Sequence, residues 1–218
     1  MKLLGGLLCA SVAYAATLVP ISQPNLAYTS ETTLLPISEP EGSIITSESN
    51  GSFTISFQFG GMSTLMDVNQ VPTSWATWGS PPNTEGPTPK VVRPDDTTQT
   101  DIVFQFSSAL TIFGMELEPD DTAPGNMHLI TATYFNGNMP VGTIARSVSG
   151  NAGALLFAGS GGPFDSVEVV SDIDFAAAQF RYTTTAPELP TSVLLLGPLV
   201  AILKRGARKY SAQRRRAA

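Results

Sequence analysis

The sequence has only one cysteine and one histidine in 218 residues. The cysteine, Cys9, lies in an apolar run at the N-terminus, so the rest of the chain has no thiol for a disulfide or a thiolate metal site. A zinc site or a serine-type catalytic triad would have to be built around His128, and no nucleophile motif or metal-ligand spacing accompanies it. We therefore interpret His128 as a structural or solvent-facing residue.

Basic residues are scarce between the two ends of the chain. Residues 16–203 contain four of them, against all 18 acidic residues of the sequence, which gives this stretch a formal charge of −14. The four are Lys90, Arg93, Arg146 and Arg181. A surface this acidic argues against a nucleic-acid partner, which needs a basic footprint. It suits solubility outside a cell and contact with divalent cations.

Long helical periodicity is also absent before the C-terminal end, and short runs alternate polar and apolar residues instead. In residues 52–59 the alternation places Phe53, Ile55, Phe57 and Phe59 on one face of a half-buried strand. Turn residues separate further runs, and Asn136-Gly137 predicts a hairpin. The pattern predicts an all-β fold, with a single jelly-roll-like β-sandwich over residues 51–183. The other strand-like runs are 101–106, 111–117, 129–135, 141–146, 154–158, 166–170 and 175–182.

Two stretches lack this alternation. Residues 16–50 are rich in Ser, Thr, Pro and Glu and predict a flexible lead-in, with a possible edge strand at 33–37. Residues 69–95 form the longest irregular stretch and contain both tryptophans, Trp75 and Trp78. The two indoles could form an apolar platform for a sugar ring, or they could anchor the loop onto the core. We favour the anchoring interpretation.

The acidic residues offer candidate calcium ligands. Glu116 and Glu118 are two apart on a predicted strand and so point to the same face, while the aspartates, which include Asp165, lie in turns and loops. Calcium takes several oxygen ligands from flexible loops, but no calcium-loop motif is present, and solvated acidic turns are the commoner explanation. A pair of carboxylates could also serve a glycoside hydrolase. The candidate calcium ligands are Glu116, Glu118, Asp120, Asp121, Asp172 and Asp174.

The N-terminus has the order of features found in a secretion signal. Lys2 is followed by a short apolar run that ends in Ala13-Tyr14-Ala15, a small-x-small cleavage pattern. Cys9 follows Leu8, whereas a lipoprotein signal has a small residue at that position. We predict a signal peptide over residues 1–15; a buried N-terminal helix or strand is the alternative.

The C-terminal end combines an apolar segment with a basic cluster. Residues 191–203 would span roughly 20 Å as a helix, which is short of the roughly 30 Å hydrocarbon core of a bilayer, and Pro198 would weaken the helix. The segment predicts a marginal membrane anchor, with a soluble C-terminal helix as the alternative. Its apolar residues are Val193, Leu194, Leu195, Leu196, Leu199, Val200, Ile202 and Leu203. The basic end, residues 204–218, marks the cytoplasmic side and begins with the stop-transfer residues Lys204, Arg205, Arg208 and Lys209.

Residues 184–218 together resemble the sorting tail of PEP-CTERM proteins. The sorting motif occupies 187–190, with Pro187, Glu188 and Pro190 interrupted by Leu189. Residues 75–82, 113–119 and 180–182 are also similar to parts of the ectodomains of such proteins. The resemblance implies processing by an integral-membrane exosortase, export in a Gram-negative bacterium and an association with extracellular polysaccharide and biofilm. It implies no reaction.

These features predict an exported, surface-sorted, non-enzymatic protein of the cell envelope or biofilm matrix, without a resident cofactor. Its expected partners are an exosortase, the membrane and extracellular polysaccharide, and not nucleic acid. The alternatives are a polysaccharide hydrolase and a calcium-dependent carbohydrate-binding module. A cleft with two carboxylates and space for a sugar would favour a hydrolase, whereas carboxylates on convex turns would favour a structural role.

Overall fold

The computed structural model describes residues 17–185, except Pro124 and Ala152. The predicted signal peptide, the sorting motif with Pro187, Glu188 and Pro190, the apolar segment 191–203 and the basic end 204–218 lie outside the described residues. No helix within the described ranges is long and apolar enough to cross a bilayer.

The described residues contain thirteen strands and one short helix, and all the strands join one antiparallel sheet. The expected all-β fold is confirmed. The elements are β1 Val19–Ile21, α1 Leu26–Glu31, β2 Thr33–Leu35, β3 Ile44–Ile45, β4 Ser47–Ser49, β5 Thr54–Phe59, β6 Met62–Ser63, β7 Met66–Gln70, β8 Lys90–Pro94, β9 Asp101–Pro119, β10 His128–Asn136, β11 Met139–Val148, β12 Leu155–Ser171 and β13 Phe175–Thr184.

Two long strands, β9 and β12, form the centre of the sheet and pair with each other along most of their length. The sequence predicted each of them as two shorter strands. β12 continues through its glycine-rich stretch, where its register with β9 shifts between Ser160 and Ser166. Gly161, in this stretch, has a φ of +104°. The hairpin predicted at Asn136-Gly137 joins β10 to β11, and Gly137 has a φ of +59°.

The second edge of β9 carries two separate groups of strands. β5 pairs with residues 103–106 of β9, and β13 pairs with residues 110–119. The sheet continues from β13 through β8 and β7 to β3, and from β5 to β4 and β6. Side chains from both groups share one core cluster, which includes Phe57 of β5, Val68 of β7 and Phe180 of β13.

Residues 17–50 differ from the predicted flexible lead-in, because each of their strands pairs with the rest of the sheet. β1 pairs with β12, β2 with β13, β3 with β7 and β4 with β5. The possible edge strand at 33–37 corresponds to β2, which buries Leu35. These strands have only two or three residues each, so pairing rather than their own periodicity orders them. The pairing is long-range for β1, β2 and β3 and local for β4.

Candidate functional site

Both faces of the sheet are buried where β9 pairs with β13. Phe113, Met115 and Leu117 face the main core, and the alternate residues Glu116 and Glu118 face the opposite side. On that side, a second cluster combines small residues of the sheet with the loop of residues 71–89. This indole cluster consists of Val71, Trp75, Trp78, Val91, Ala154, Ala176 and Ala178.

Small side chains leave the space that the two indole rings fill. The Trp75 side chain donates its Nε1–H to Glu118 Oε2 at 2.7 Å, and Trp78 donates its Nε1–H to Glu116 Oε2 at 2.8 Å. The tryptophans are 6% and 9% exposed, and Glu116 and Glu118 are 0% and 1% exposed. The geometry agrees with the anchoring interpretation of Trp75 and Trp78. It leaves no open indole platform for a sugar ring, because both rings are buried between the loop and the sheet.

The second oxygen of Glu116 is also paired. Its Oε1 accepts a hydrogen bond of 2.6 Å from the backbone N–H of Glu85, whose own carboxylate pairs with Arg181 Nε at 2.6 Å. Arg181 also donates to the carbonyl oxygens of Thr29 and Thr32 at 3.3 Å. Burial raises the pKa of Glu116 to about 7, against the lowering effect of its two hydrogen-bond donors. The network ties the loop to β13 and to the segment around α1.

Glu118 has a different set of partners. The Thr77 hydroxyl oxygen lies 2.8 Å from Glu118 Oε1 and 2.6 Å from the Gly150 carbonyl oxygen. Since a hydroxyl group has one hydrogen to donate, both contacts are satisfied only if Glu118 is protonated and donates to Thr77, which then donates to Gly150. Burial raises the pKa of Glu118 to about 8, consistent with a neutral carboxyl group at pH 7.

This arrangement leaves no room for acid–base chemistry on a substrate. Each of the four oxygens of Glu116 and Glu118 has a hydrogen-bond partner within the protein. The space beside Trp75, lined also by Pro119 and Asp120, has a volume of only ≈ 10 Å³. A cavity of that size holds about one water molecule. The two carboxyl groups are therefore structural partners of the loop and do not face a cleft that admits a sugar.

His128 lies between two aspartates at the end of the sheet. Its Nε2 is 2.9 Å from Asp121 Oδ2, and its Nδ1 is 3.1 Å from Asp172 Oδ1. The Asp121 bond is the largest of the effects that raise the pKa of His128. The backbone N–H of Ala123, followed by His128 and Asn126, lowers the pKa of Asp121 to about 2. A protonated imidazole can donate to both carboxylates, so His128 bridges two loops.

The two remaining candidate calcium ligands, Asp120 and Asp174, lie close to each other and to Arg93. Asp120 faces Arg93 at 3.9 Å, and its backbone N–H donates to the carbonyl oxygen of Asp174. Asp165 accepts from the backbone N–H of Gly137 at the β10–β11 turn. The six candidates thus form three separate pairs. Glu116 and Glu118 contact the indole cluster, and Asp121 and Asp172 contact His128. Asp120 and Asp174 lie near Arg93. Nowhere in the described part of the chain do three His, Cys, Asp or Glu side chains group as metal ligands.

The sequence matches no protein-family model and no curated protein. Inference about its function therefore depends on the chain's own residues.

Sequence reasoning missed three residues that hold the loop of residues 71–89 in place: Thr77, Glu85 and Arg181. Arg181 is one of only four basic residues in 16–203. In so acidic a stretch, an isolated basic residue indicates an ion pair with a nearby carboxylate. Its partner Glu85 is 96 positions away in the sequence. Nothing in the local pattern around either residue indicates that pairing.

Proposed function

We propose that this chain is an exported, surface-sorted, non-enzymatic protein of the cell envelope or of an extracellular polysaccharide matrix. The observation that supports the non-enzymatic part of the proposal is the burial of Glu116 and Glu118 beneath Trp78 and Trp75. A glycoside hydrolase needs two carboxyl groups on either side of the bond that it cleaves. Here Glu116 and Glu118, which share one face of β9, hold a loop in place and flank no open cleft.

The proposed architecture is a jelly-roll-like β-sandwich. Its support is the branching of β5 and β13 from the same edge of β9, because the two groups of strands then share one core cluster. The packing of inward-facing residues of two sheet regions against each other is typical of sandwiches.

The proposed location depends on the two ends of the sequence. The signal-like order of residues 1–15 and the PEP-CTERM-like tail of residues 184–218 support export followed by temporary or permanent anchoring. The proposed partners are an exosortase that recognises Pro187, Glu188 and Pro190, and the membrane itself. The acidic character of residues 16–203 fits a domain kept soluble outside the cell.

Deletion of residues 193–218 tests this location. We expect the shortened protein to move from the membrane fraction to the periplasm or medium, because the anchor and stop-transfer residues are lost. Cell fractionation with mass spectrometry of both chain ends measures the location and the cleavage of the signal. The thermal unfolding temperature of the released protein should match that of the full chain.

A matched variant separates sorting from anchoring. Replacement of Pro187, Glu188 and Pro190 with alanine keeps residues 193–218 and is expected to leave the protein in the membrane fraction while preventing its processing. A full-length protein found in the cytoplasm with Met1 retained would rule out the proposal. An unchanged location after the deletion would rule out the role of the tail.

A further inference from the structure

Six strands of the sheet pair with only one other strand among the described residues, so they form its edges. Five of these edge strands, β1, β2, β3, β4 and β6, are two or three residues long. The sixth, β11, has ten residues and pairs only with β10. Very short edge strands are one device by which proteins prevent a sheet from pairing with another chain. In the described part of the chain, β11 is therefore the one edge long enough to accept a further strand.

β11 also lacks most of the other features that protect a sheet edge. Its register with β10 is regular over residues 142–148, and Pro140 interrupts only its beginning. Its one charged residue, Arg146, donates to the carbonyl oxygens of Ile21 and Ser22 of the same chain, each at 3.3 Å. Within the described residues, no hydrogen bond reaches the backbone of β11 from outside its pairing with β10. The outward backbone groups of β11 can therefore pair with another strand.

The charge around β11 favours a second copy of this chain as that partner. Residues 122–164 contain no Asp or Glu, although residues 16–203 have a formal charge of −14. Two copies that approached each other through their acidic surfaces would repel, because like charges at close range are unfavourable. Two β11 edges meet without this repulsion, since the exposed residues of β11 are uncharged. These residues are Met139, Pro140, Thr143, Ala145 and Ser147.

The two ends of β11 complement each other. Met139 at the beginning is 70% exposed, and Leu129, which pairs with Ser147 near the end, is 56% exposed. Antiparallel pairing of β11 with a second β11 about a two-fold axis places the beginning of each strand beside the end of the other. Each Met139 then lies next to the end that Leu129 flanks, so both apolar side chains lose contact with water. An axis at the middle of β11 also brings Thr143 opposite Thr143 or Ala145 of the second copy.

We propose that two copies of this chain form a dimer by antiparallel pairing of their β11 strands, which joins the two sheets into one. The inference goes beyond the proposed function and does not depend on where the protein is located. Backbone hydrogen bonds between the two strands supply the affinity, as in other cases of strand addition to a sheet edge. The interface is only one strand wide, so we expect a weak and reversible association.

Sedimentation velocity of the purified full-length protein, at concentrations from about 1 to about 200 µM, tests the inference. We expect a reversible monomer–dimer equilibrium with a Kd on the order of 10 µM. Thr143→Glu and Thr143→Lys should each raise the Kd at least about tenfold, because like charges then lie close together across the two-fold axis. An equimolar mixture of the two variants should regain the original affinity, because each glutamate then lies close to a lysine.

Ser47→Glu is the matched control, because it adds the same charge at an exposed position of β4, at the other end of the strand order β11-β10-β12-β9-β5-β4. It should leave the Kd unchanged. Thr143 is exposed, so its variants should keep the thermal unfolding temperature of the original protein. Hydrogen exchange of the unmodified protein provides a second measurement that needs no variant. The β11 amides should exchange more slowly at high protein concentration, and the β4 amides should exchange at the same rate throughout.

A protein that sediments as a monomer at every concentration would overturn the inference. A dimer that Thr143→Glu does not weaken would overturn it as well, and association through the apolar segment 191–203 would give that result. The inference would also fail if the mixture of the two variants stayed monomeric, or if exchange of the β11 amides did not depend on concentration.

Discussion

Replacement of Trp78 with alanine is expected to lower the free energy of unfolding by about 3–5 kcal/mol. The substitution removes a ring that is 9% exposed and leaves a cavity above the small residues of β13. It also removes the donor to Glu116 Oε2, so a buried carboxylate loses a partner. Trp75→Ala should have a similar effect through Glu118. Urea unfolding followed by circular dichroism at a fixed pH measures the change.

Two comparisons separate packing from hydrogen bonding. Trp78→Phe keeps an aromatic ring but removes the Nε1–H donor, and we expect it to cost about 1–3 kcal/mol. Met62→Ala changes a side chain that is 72% exposed and should stay within about 0.5 kcal/mol of the original protein. If Trp78→Ala were as mild as Met62→Ala, the loop would not be anchored by its indole rings.

The strands of the core could be predicted from the sequence because one face of each is apolar. The alternation in residues 52–59 corresponds to β5, and its Phe53, Ile55 and Phe57 are all buried. The predicted run 175–182 corresponds to β13, although its alternation shifts at Gln179, which has a φ of +52°. The shift lets Ala177 and Phe180 face the same core despite their odd spacing.

The short strands could not be predicted, because two to five residues carry too little periodicity. β8, Lys90–Pro94, falls in the stretch predicted to be irregular, yet Val91 and Val92 are buried on its two sides. Its order comes from pairing with β7 and with Ala177 of β13. The same holds for β1, β2 and β3, whose partners lie far away in the sequence, whereas β4 pairs with the neighbouring strand β5.

The candidate site was predicted in part. Period-two geometry correctly places Glu116 and Glu118 on one face. The sequence does not show what covers that face, because the contacts to Trp75 and Trp78 span 43 and 38 positions. Indole N–H groups and carboxylates both need hydrogen-bond partners when they are buried. Here each indole N–H donates to one of the two glutamates, so each group is the partner of the other. Had the two tryptophans and the two glutamates faced solvent, they would have indicated a sugar-binding platform and a pair of catalytic carboxyl groups.

The free energy of unfolding is expected to fall as the pH rises from about 4.5 to about 8. Burial raises the pKa of Glu116 to about 7 and of Glu118 to about 8, from an ordinary value of 4.5. Between the ordinary and the raised values, the folded protein binds more protons than the unfolded chain, so stability decreases with pH. The raised pKa of His128 acts in the same direction, because its stabilisation is complete below about 6.5 and is lost as the pH rises through the raised value.

Below this window the sign reverses. Hydrogen bonds lower the pKa of Asp121 to about 2, so its contribution is present above about 3.8 and is lost as the pH falls through about 2. Maximum stability is therefore expected near pH 4–5. Urea unfolding at half-unit steps from pH 3 to pH 9 should show a decline on the order of 3 kcal/mol between pH 4.5 and pH 8.

Glu118→Gln assigns the decline to its source. A glutamine amide can donate to Thr77 and accept from Trp75 as the protonated glutamate does, so the variant should fold and should lose much of the slope above pH 5. Glu41→Gln, at an exposed position, should keep the slope. A profile that is flat or rising between pH 4.5 and pH 8 would mean that the carboxyl groups beneath the indoles ionise freely. A Glu118→Gln protein with an unchanged slope would place the titrating group elsewhere, because the protonated link from Glu118 through Thr77 to Gly150 could no longer explain it.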